Sequence, residues 1–386
     1  MKSQQSEILI RTLTVICLAL GGPGAVLGKL NGDFNGEGYR IPSNPDALEF
    51  PQAHGSHPDF RLEWWYLTGH LYTETERRFA FQATFFRYAD PPEERRNLIS
   101  NRDFGAGLIH LAHMAILDTE SGEHAHRERI NREGWDAVAK EGGLDIRNGN
   151  WSLRMTDETR ETLELRGTAG AGNEFTLELE PEKPRVFFGE HGLSLKGEEP
   201  TSRSYYISFP RLRAEGSLSW QGERHGVSGR AWMDHEISSG QLTDEQIGWD
   251  WAGIQLDDGR EIMTFQLRRK DGAIDPFSYL GWVDRNGELR HYGAGEFHWE
   301  LGEEWESPET GARYPLGIVV VAPDPELDGA ETRLTLKPLV KEQEFVGRGG
   351  LAYWEGACDV LDRDGEKVGT AFVEMTGYAG SLQGRM

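Results

Sequence analysis

The chain has 386 residues, a formal net charge of −23, 48 glycines and 10% aromatic residues. This length is too great for one ordinary β domain and suits two domains of roughly 150–200 residues each. Nucleic acids and anionic membrane surfaces repel a polyanion, so the charge argues against both as partners.

The first 28 residues have the pattern of an export signal. Basic residues flank the apolar run Leu13–Leu20, and small residues precede Gly28. The run is too short to span a bilayer, so we expect cleavage near Gly28, a periplasmic or secreted protein, and no membrane span afterwards. Cys17 lies in the signal, which leaves Cys358 alone and excludes an internal disulfide in the mature chain.

Residues 29–53 are rich in Gly, Asn and Pro and predict an arm that lies on the first domain. Short strands with aromatic-rich faces follow at even spacing. The first series is Glu63–Leu71, Phe79–Arg87, Leu108–Asp118, Trp151–Met155, Thr162–Gly167, Phe175–Glu180, Ser204–Pro210, Ala214–Trp220 and Gly226–Glu236. A linker or one helical turn is predicted over Ser238–Gly248, and a second series runs from Trp249 to Tyr378. The domains are therefore expected at 54–242 and 243–386. Many short antiparallel strands favour closed barrels that hold a small ligand over a sandwich.

Two echoes in the sequence indicate a duplication. A Trp-x-aromatic pair opens a strand in each half, and a Phe-Gln pair follows; these are Trp64/Tyr66 with Phe81-Gln82, and Trp249/Trp251 with Phe265-Gln266. A second echo has a constant offset of 140 positions: Glu215-Gly216-Ser217 and Gly229–Asp234 recur as Glu355-Gly356-Ala357 and Gly369–Glu374. Two copies predict two similar β domains in tandem, since a solenoid would need more and shorter units.

Several blocks of the chain resemble the AttH family, which is related to carotenoid 1,2-hydratase and often labelled "predicted secreted hydrolase". The blocks are His54–His70, Ser204–Ser208, Ser228–Asp234, Gln246–Trp251, Tyr353–Ala357 and Val373–Tyr378. The resemblance covers nearly all of the chain from Phe50 onward. It implies an all-β fold of two tandem lipocalin-like (calycin-type) antiparallel β-barrels. Relatives include a hydratase that adds water to an isoprenoid double bond and distant fungal cyclases, but a shared fold does not assign chemistry.

The aromatic and amide side chains of these blocks are candidates for binding a hydrophobic small molecule, a lipid or an isoprenoid, in a barrel cavity. The candidate ligand-binding residues are Trp65, Tyr66, Gln82, Tyr206, Trp232, Trp251 and Gln266. The alternative is that the rings only form the hydrophobic core.

Asp234, in Trp232-Met-Asp-His-Glu236, is the principal candidate catalytic residue. Strand alternation places Trp232, Asp234 and Glu236 on one face. Desolvation beside an indole would raise the pKa of the aspartate, so it could protonate an alkene, while aromatic faces would stabilise the carbocation. The alternative is a structural ion pair between Asp234 and Arg61, Arg87 or Arg230.

His113 is a second catalytic candidate, because it lies on an otherwise apolar strand; the alternative is a core histidine with satisfied hydrogen bonds. His124 and His126 are expected at a solvated hairpin tip. We predict no cofactor and no metal. His110 and His113 are three positions apart and so lie on opposite faces of their strand, which leaves His54 and His57 as the alternative for a metal site.

The label hydrolase has little support, because the chain has no Gly-x-Ser-x-Gly elbow and no His-Glu-x-x-His motif. Two hypotheses remain. The first is an exported carrier of a hydrophobic small molecule; the alternative is a hydratase or cyclase with Asp234 as the acid. The sequence gives no protein partner.

Overall fold

The computed structural model describes residues 34–93, 107–134, 136–190, 192–348 and 351–380. The expected export signal and Cys17 lie outside these ranges. Within them, no helix has the length and apolar character needed to cross a membrane.

The described residues form strands almost throughout, with two short 3-10 helices at Pro45–Ala47 and Gln52–His54. The strands of the first half are β1 (Leu62–Thr73), β2 (Arg78–Ala89), β3 (Leu108–Asp118), β4 (His124–Arg132), β5 (Ala137–Ala139), β6 (Asp145–Asn148), β7 (Trp151–Asp157), β8 (Thr162–Gly170), β9 (Asn173–Pro181), β10 (Val186–Phe187), β11 (Leu193–Leu195), β12 (Arg203–Trp220) and β13 (Glu223–Ser238). Those of the second half are β14 (Gln246–Leu256), β15 (Glu261–Arg269), β16 (Tyr279–Val283), β17 (Leu289–Gly293), β18 (His298–Glu300), β19 (Glu303–Glu306), β20 (Arg313–Leu316), β21 (Ile318–Pro323), β22 (Glu331–Pro338), β23 (Glu344–Val346), β24 (Ala352–Leu361) and β25 (Lys367–Thr376).

The first half is one antiparallel sheet with the order β4-β3-β2-β1-β13-β12-β9-β8-β7-β6-β5, and β10 and β11 also pair with β12. The sheet curls into a barrel, since β3 and β4 pack across the interior onto β8. Side chains join its two ends: Asn131 of β4 donates to the side chain of Asn148 of β6, and Asn148 donates to the carbonyl of His110.

The second half is a sheet with the order β17-β16-β15-β14-β25-β24-β22-β21-β18; β23 pairs with β24, and β19 and β20 form a separate hairpin. Trp299 of β18 reaches across this barrel to Thr264 of β15, with 3.3 Å between Nε1 and Oγ1. The fold is therefore all-β, with two tandem lipocalin-like barrels, as the sequence predicts.

Each barrel is filled by its own side chains. Trp65, Phe81 and Trp151 belong to the core of the first barrel, and Trp282 and Trp354 to that of the second. A third hydrophobic cluster contains residues of both halves and lies between the barrels. Bulky inward-facing residues fill barrels of this width. The prediction that the ligand cavity lies inside a barrel is therefore wrong.

The strand registers confirm the duplication. Asp234 of β13 pairs with Tyr66 of β1, and Glu374 of β25 pairs in the same way with Trp251 of β14. Two glycines also correspond, since Gly229 pairs with Leu71 and Gly369 with Leu256.

The second echo is wrong for the first strand of each hairpin, because the residues that it matches there are not structurally equivalent. Glu355 pairs with Glu374, whereas Asp234 pairs with Ser208, so Ser208 and not Glu215 is the counterpart of Glu355. The second hairpin is shorter, and a constant sequence offset therefore holds for its return strand alone.

Three further expectations need correction. Ser204–Pro210 and Ala214–Trp220 form one strand, β12, with a register shift between Phe209 and Leu212. The stretch predicted as a hairpin tip at His124 and His126 is β4, a partly buried strand at the sheet edge. The predicted linker has no helical turn. The first sheet ends at Ser238 and the second begins at Gln246, and the boundary at 242/243 stays a prediction.

Candidate active site between the barrels

A cavity lies between the outer faces of the two barrels, in the region of the third hydrophobic cluster. Its lining residues are Trp64, Tyr66, Thr84, Phe86, Lys196, Tyr206, Asp234, Glu236, Gln241, Trp249, Trp251, Phe265, Leu267, Leu351, Tyr353, Glu374 and Thr376. Both halves contribute to the lining, because side chains alternate along a strand. Each strand presents one face to the core of its own barrel and the other face to the opposite barrel.

Most of the lining comes in equivalent pairs, one member from each half. The strand registers match Trp64 with Trp249, Tyr66 with Trp251, Thr84 with Phe265, Phe86 with Leu267, Tyr206 with Tyr353, Asp234 with Glu374, and Glu236 with Thr376. The cavity therefore lies on the pseudo-twofold axis of the duplication. The first half contributes more polar groups, since Tyr66 and Thr84 stand where the second half has Trp251 and Phe265.

Asp234 is 2% exposed and accepts three hydrogen bonds. Tyr206 donates to Oδ2 at 2.8 Å, Trp232 Nε1 donates to Oδ1 at 2.7 Å, and Ser208 also donates to Oδ1. Desolvation by burial and the nearby Glu236 raise the pKa of Asp234 to about 7, against the opposing effect of these donors. An acid with this pKa holds its proton through much of the neutral range and can donate it.

The predicted alternative for Asp234, a structural ion pair with arginine, is wrong. Arg87 pairs with Glu63, and Arg230 pairs with the surface residue Glu182. The partners of Asp234 are a phenol, an indole and a hydroxyl, so its charge is not neutralised by a neighbouring cation.

Glu374 occupies the equivalent position in the second half. Trp249 donates from Nε1 to its Oε2 at 2.7 Å, and burial raises the pKa of Glu374 to about 7, with further contributions from Asp234 and Glu236. A third carboxyl, Glu355, accepts from Tyr66 at 2.6 Å, and its other oxygen is buried without a hydrogen-bond partner. Burial and the neighbouring Glu374 raise the pKa of Glu355 well above its ordinary value.

One cation stands among the described lining residues. The Lys196 ammonium lies 2.9 Å from Glu236 Oε1 and above the rings of Tyr206 and Phe265. Gln241 also donates to Glu236, at 3.0 Å. Glu236 is thus paired, whereas no described lysine or arginine pairs with Asp234 or Glu374.

The structure brings four of the sequence candidates to the cavity wall: Tyr66, Tyr206, Trp251 and Asp234. Trp232 lies directly behind the wall through its bond to Asp234. Gln82 lies beside Tyr353, with 3.4 Å between its Nε2 and the phenol oxygen. Their assigned roles stay predictions.

Trp65 and Gln266 are not among the residues that line the cavity. Trp65 is fully buried in the first barrel, stacked on His235, and donates to the carbonyl of His54. Gln266 lies between Phe265 and Leu267, which both line the cavity, so alternation turns it the other way. The two Phe-Gln pairs are not equivalent, because Tyr66 pairs with Thr84 but Trp251 pairs with Phe265. Phe265 therefore corresponds to Thr84, three residues after Phe81, and a shift by an odd number of residues changes the face.

His113 lies behind the cavity and contacts it through Tyr353. Its Nδ1 is 2.7 Å from the Tyr353 hydroxyl, and its Nε2 is 3.3 Å from Glu128 Oε2. Burial lowers the pKa of His113, so the imidazole is neutral near pH 7.

Thirteen of the seventeen lining residues are outside the sequence candidates, among them Glu374, Tyr353 and Lys196. The constant offset of 140 positions matches Glu374 with Asp234, and this signal could have identified Glu374 from the sequence. Lys196 lies in an irregular segment, where no periodic pattern could place it.

One group in the described part of the chain has metal-ligand geometry: His57, Glu63 and His235. Each imidazole donates to Oε1 of Glu63 at 2.8 Å, and Arg87 donates to Oε2 at 3.1 Å. Arg87 therefore balances the buried carboxylate, and hydrogen bonding alone accounts for the cluster. The expectation of no metal stays a prediction.

The sequence model of the AttH-like family matches residues 41–378. The chain belongs to the AttH-like family. A crystal structure of a putative AttH from Nitrosomonas europaea is 35% identical, covers 87% of this chain and 98% of its own, and superposes with a TM-score of 0.76. No curated protein matches the chain.

Two more distant structures share the fold. Kievitone hydratase from Nectria haematococca is 15% identical, with coverage of 90% of this chain and 98% of its own and a TM-score of 0.64. CghA in complex with Sch210972 is 11% identical, with coverage of 82% and 89% and a TM-score of 0.51. At these identities the likeness supports the architecture of this AttH-like protein and does not assign its chemistry.

Proposed function

We propose that this protein is an enzyme that protonates a carbon–carbon double bond of a largely apolar small molecule, so that water adds to it or a ring closes. The observation that carries the proposal is Asp234, a buried acid with a pKa of about 7 that opens on an aromatic cavity. A carrier would gain nothing from placing unpaired carboxyls there, because each one costs desolvation energy. Perturbed carboxyls in a cleft are typical of acid–base sites.

The reaction balances within the cavity. The Asp234 carboxyl gives its proton to one alkene carbon, and the other carbon becomes a cation that the faces of Trp64, Trp249 and Trp251 stabilise. In hydration, a water oxygen bonds to this cation and loses one proton to the Glu374 carboxylate. In cyclisation, a second double bond of the same molecule bonds to the cation instead. The new ring cation then loses a proton from a neighbouring carbon to the Glu374 carboxylate, and a double bond forms.

The relatives support this class of reaction without assigning it. One structure with the same fold bears the name of a hydratase. We take the substrate to be an unsaturated lipid or isoprenoid, because ten of the seventeen lining residues are aromatic residues or leucines. The expected export signal supports an action outside the cytoplasm, in the periplasm or after secretion.

Turnover in heavy water tests the proposal, with geraniol, farnesol and squalene as probes. An acid-catalysed addition places deuterium on carbon, which mass spectrometry of the product detects. The variant Asp234→Asn should keep binding, followed by quenching of the cavity tryptophans, and lose turnover by about 100-fold or more. Asp250→Asn is the matched control, since Asp250 is also buried with a pKa raised to about 6 but pairs with Arg268 away from the lining.

A wild-type protein that binds these probes tightly and leaves all of them unchanged would be a carrier, and the enzymatic proposal would be rejected. Equal turnover by the Asp234→Asn variant would also reject Asp234 as the acid.

A further inference from the structure

A row of three side chains leads from the cavity to a groove on the outside of the first barrel. Tyr353 lines the cavity, His113 is completely buried behind it, and Glu128 lines the groove together with Arg127 and Arg348. The row runs from β3 to β4 along the outer face of the first sheet, because His113 pairs directly with Glu128 and paired residues point to the same face.

The hydrogen bonds fix the direction in which each group donates. Glu128 accepts a 3.0 Å bond from the backbone N–H of Arg348, and the pKa of Glu128 is lowered, first by its bond with His113, so it is a carboxylate. A carboxylate accepts, and the His113 proton therefore resides on Nε2. Nδ1 is left as the acceptor, and the Tyr353 hydroxyl, 2.7 Å away, donates to it.

Packing holds the imidazole in this orientation. The ring of His113 stacks on Phe345 at 4.2 Å between centroids and on Tyr353 at 5.7 Å, and Phe86 contacts it edge-on. The other titratable groups near the row are His126 on β4, and Glu355 and Glu374 on the cavity side of Tyr353. A tyrosine, a neutral histidine and a carboxylate in line repeat the logic of a nucleophile–histidine–acid triad, in which the acid sets the tautomer.

We propose that Tyr353, His113 and Glu128 form a proton relay that exchanges protons between the carboxyls of the cavity and solvent in the outer groove. The relay rests on the proposed function, because the proposed hydration leaves Glu374 protonated and Asp234 deprotonated after each turnover. The Glu374 proton passes to the Tyr353 oxygen while the Tyr353 proton passes to His113 Nδ1. The imidazolium then releases its Nε2 proton to Glu128, which gives it to water in the groove and leaves His113 protonated on Nδ1. A proton that returns from the groove through Glu128 to Nε2 drives the Nδ1 proton back to Tyr353 and the cavity. This return restores the Nε2–H tautomer of His113 and supplies the proton that Asp234 has lost.

A phenol is suited to this position. Burial and the charges of Glu355 and Glu374 raise the pKa of Tyr353 well above its ordinary value, so the tyrosine does not remain as phenolate and can only pass a proton on. Tyr206, its equivalent in the first half, donates to Asp234 and accepts from Trp251. The pseudo-symmetry therefore yields one tyrosine that holds the acid and one that connects the cavity to solvent.

The test needs no substrate. Time-resolved infrared spectroscopy after a pH jump across the titration of Glu374 follows the loss of its protonated-carboxyl band, which the variant Glu374→Gln identifies. His113→Gln keeps a polar side chain but cannot relay a proton, and it should slow this loss at least about tenfold. Tyr353→Phe should slow it equally, and the double variant should be no slower than either single one. His110→Gln, on the same strand, is the control and should leave the rate unchanged.

Nitrogen-15 NMR of the imidazoles gives a second readout, with the proton of His113 expected on Nε2. The relay is rejected if His113→Gln, with an unchanged near-ultraviolet circular dichroism spectrum, loses the Glu374 proton at the wild-type rate. It is also rejected if the His113 proton resides on Nδ1 or if Glu374 does not titrate. Failure of turnover with an intact relay would instead reject the proposed function alone.

Discussion

The hydroxyl of Tyr66 donates a 2.6 Å hydrogen bond to Oε1 of Glu355, and this bond joins the two barrels across their interface. Both residues are buried, and the second oxygen of Glu355 is without a hydrogen-bond partner. The bond therefore supplies most of the polar compensation that this carboxyl receives, and each barrel completes the polar network of the other.

Removal of this donor should destabilise the protein. We expect Tyr66→Phe to lower the free energy of unfolding by about 1–3 kcal/mol, because it leaves a buried carboxyl without its donor. Urea unfolding measures the change, and Tyr72→Phe, a partly buried tyrosine on the same strand, is the control. In a double-mutant cycle with Glu355→Gln, additive effects would contradict a direct interaction between the two side chains.

The raised carboxyl pKa values predict a specific pH dependence of stability. Asp234 and Glu374 have a pKa of about 7 in the folded protein, chiefly because of burial, against about 4 in an unfolded chain. Their stabilising contribution is complete below about pH 4 and is lost as the pH rises towards 7, because the unfolded state releases its protons first. The loss is on the order of 4 kcal/mol for each group.

Comparison with variants isolates this contribution from that of other groups. Asp234→Asn and Glu374→Gln should each flatten the curve of unfolding free energy against pH between about 4 and 7. Urea unfolding at several pH values provides the curves. If the curve of each variant stays parallel to that of the wild type over this range, the pKa values are not raised in the folded state.

The face on which Asp234 lies could be predicted from the sequence, because alternation along a strand is local. The structure confirms that Trp232, Asp234 and Glu236 share one face, and that this face turns away from the first barrel core. What the face meets could not be predicted, since docking of one barrel on the other depends on the shape of both surfaces. The site was therefore expected inside a barrel.

The partners of His113 show the same limit. The sequence places this histidine among apolar residues of one strand, and burial follows from that pattern. Its bond to Tyr353 joins residues 240 positions apart. The alternation of residues along a strand cannot predict a contact between such distant positions. The duplication does not predict it either, because the equivalent tyrosine, Tyr206, donates to Asp234 instead.

Two equivalent glycines should be intolerant of any side chain. A Cβ on Gly229 would lie 1.9 Å from the carbonyl oxygen of His70, and a Cβ on Gly369 would lie 2.4 Å from that of Gln255. Because backbone atoms of paired strands cannot move apart without loss of the ladder, we expect Gly229→Ala and Gly369→Ala to cost about 1–3 kcal/mol or more. Gly226→Ala is the matched control on the same strand, with open space around its Cβ. Equal melting temperatures for Gly226→Ala and Gly229→Ala would contradict the duplicated close approach.

A buried ion network links the barrels at Glu261. Lys183 of the first half approaches Glu261 Oε2 at 2.6 Å, and Arg211 donates to Oε1; all three side chains are at most 5% exposed. Loss of one partner from such a network leaves the others as uncompensated buried charges, so Glu261→Gln should cost about 3–5 kcal/mol.

The matched control for Glu261 is a surface pair of the same residue types. Glu182→Gln removes the partner of Arg230 at 3.3 Å, where both side chains are at least 35% exposed, and it should cost less than about 1 kcal/mol. Because the Glu261 network joins the halves, its loss should also make the interface separate before the barrels unfold. Urea unfolding would then show two transitions, and the fluorescence of the cavity tryptophans would change in the first of them. One cooperative transition at the wild-type midpoint would show that the hydrophobic contacts alone hold the barrels together.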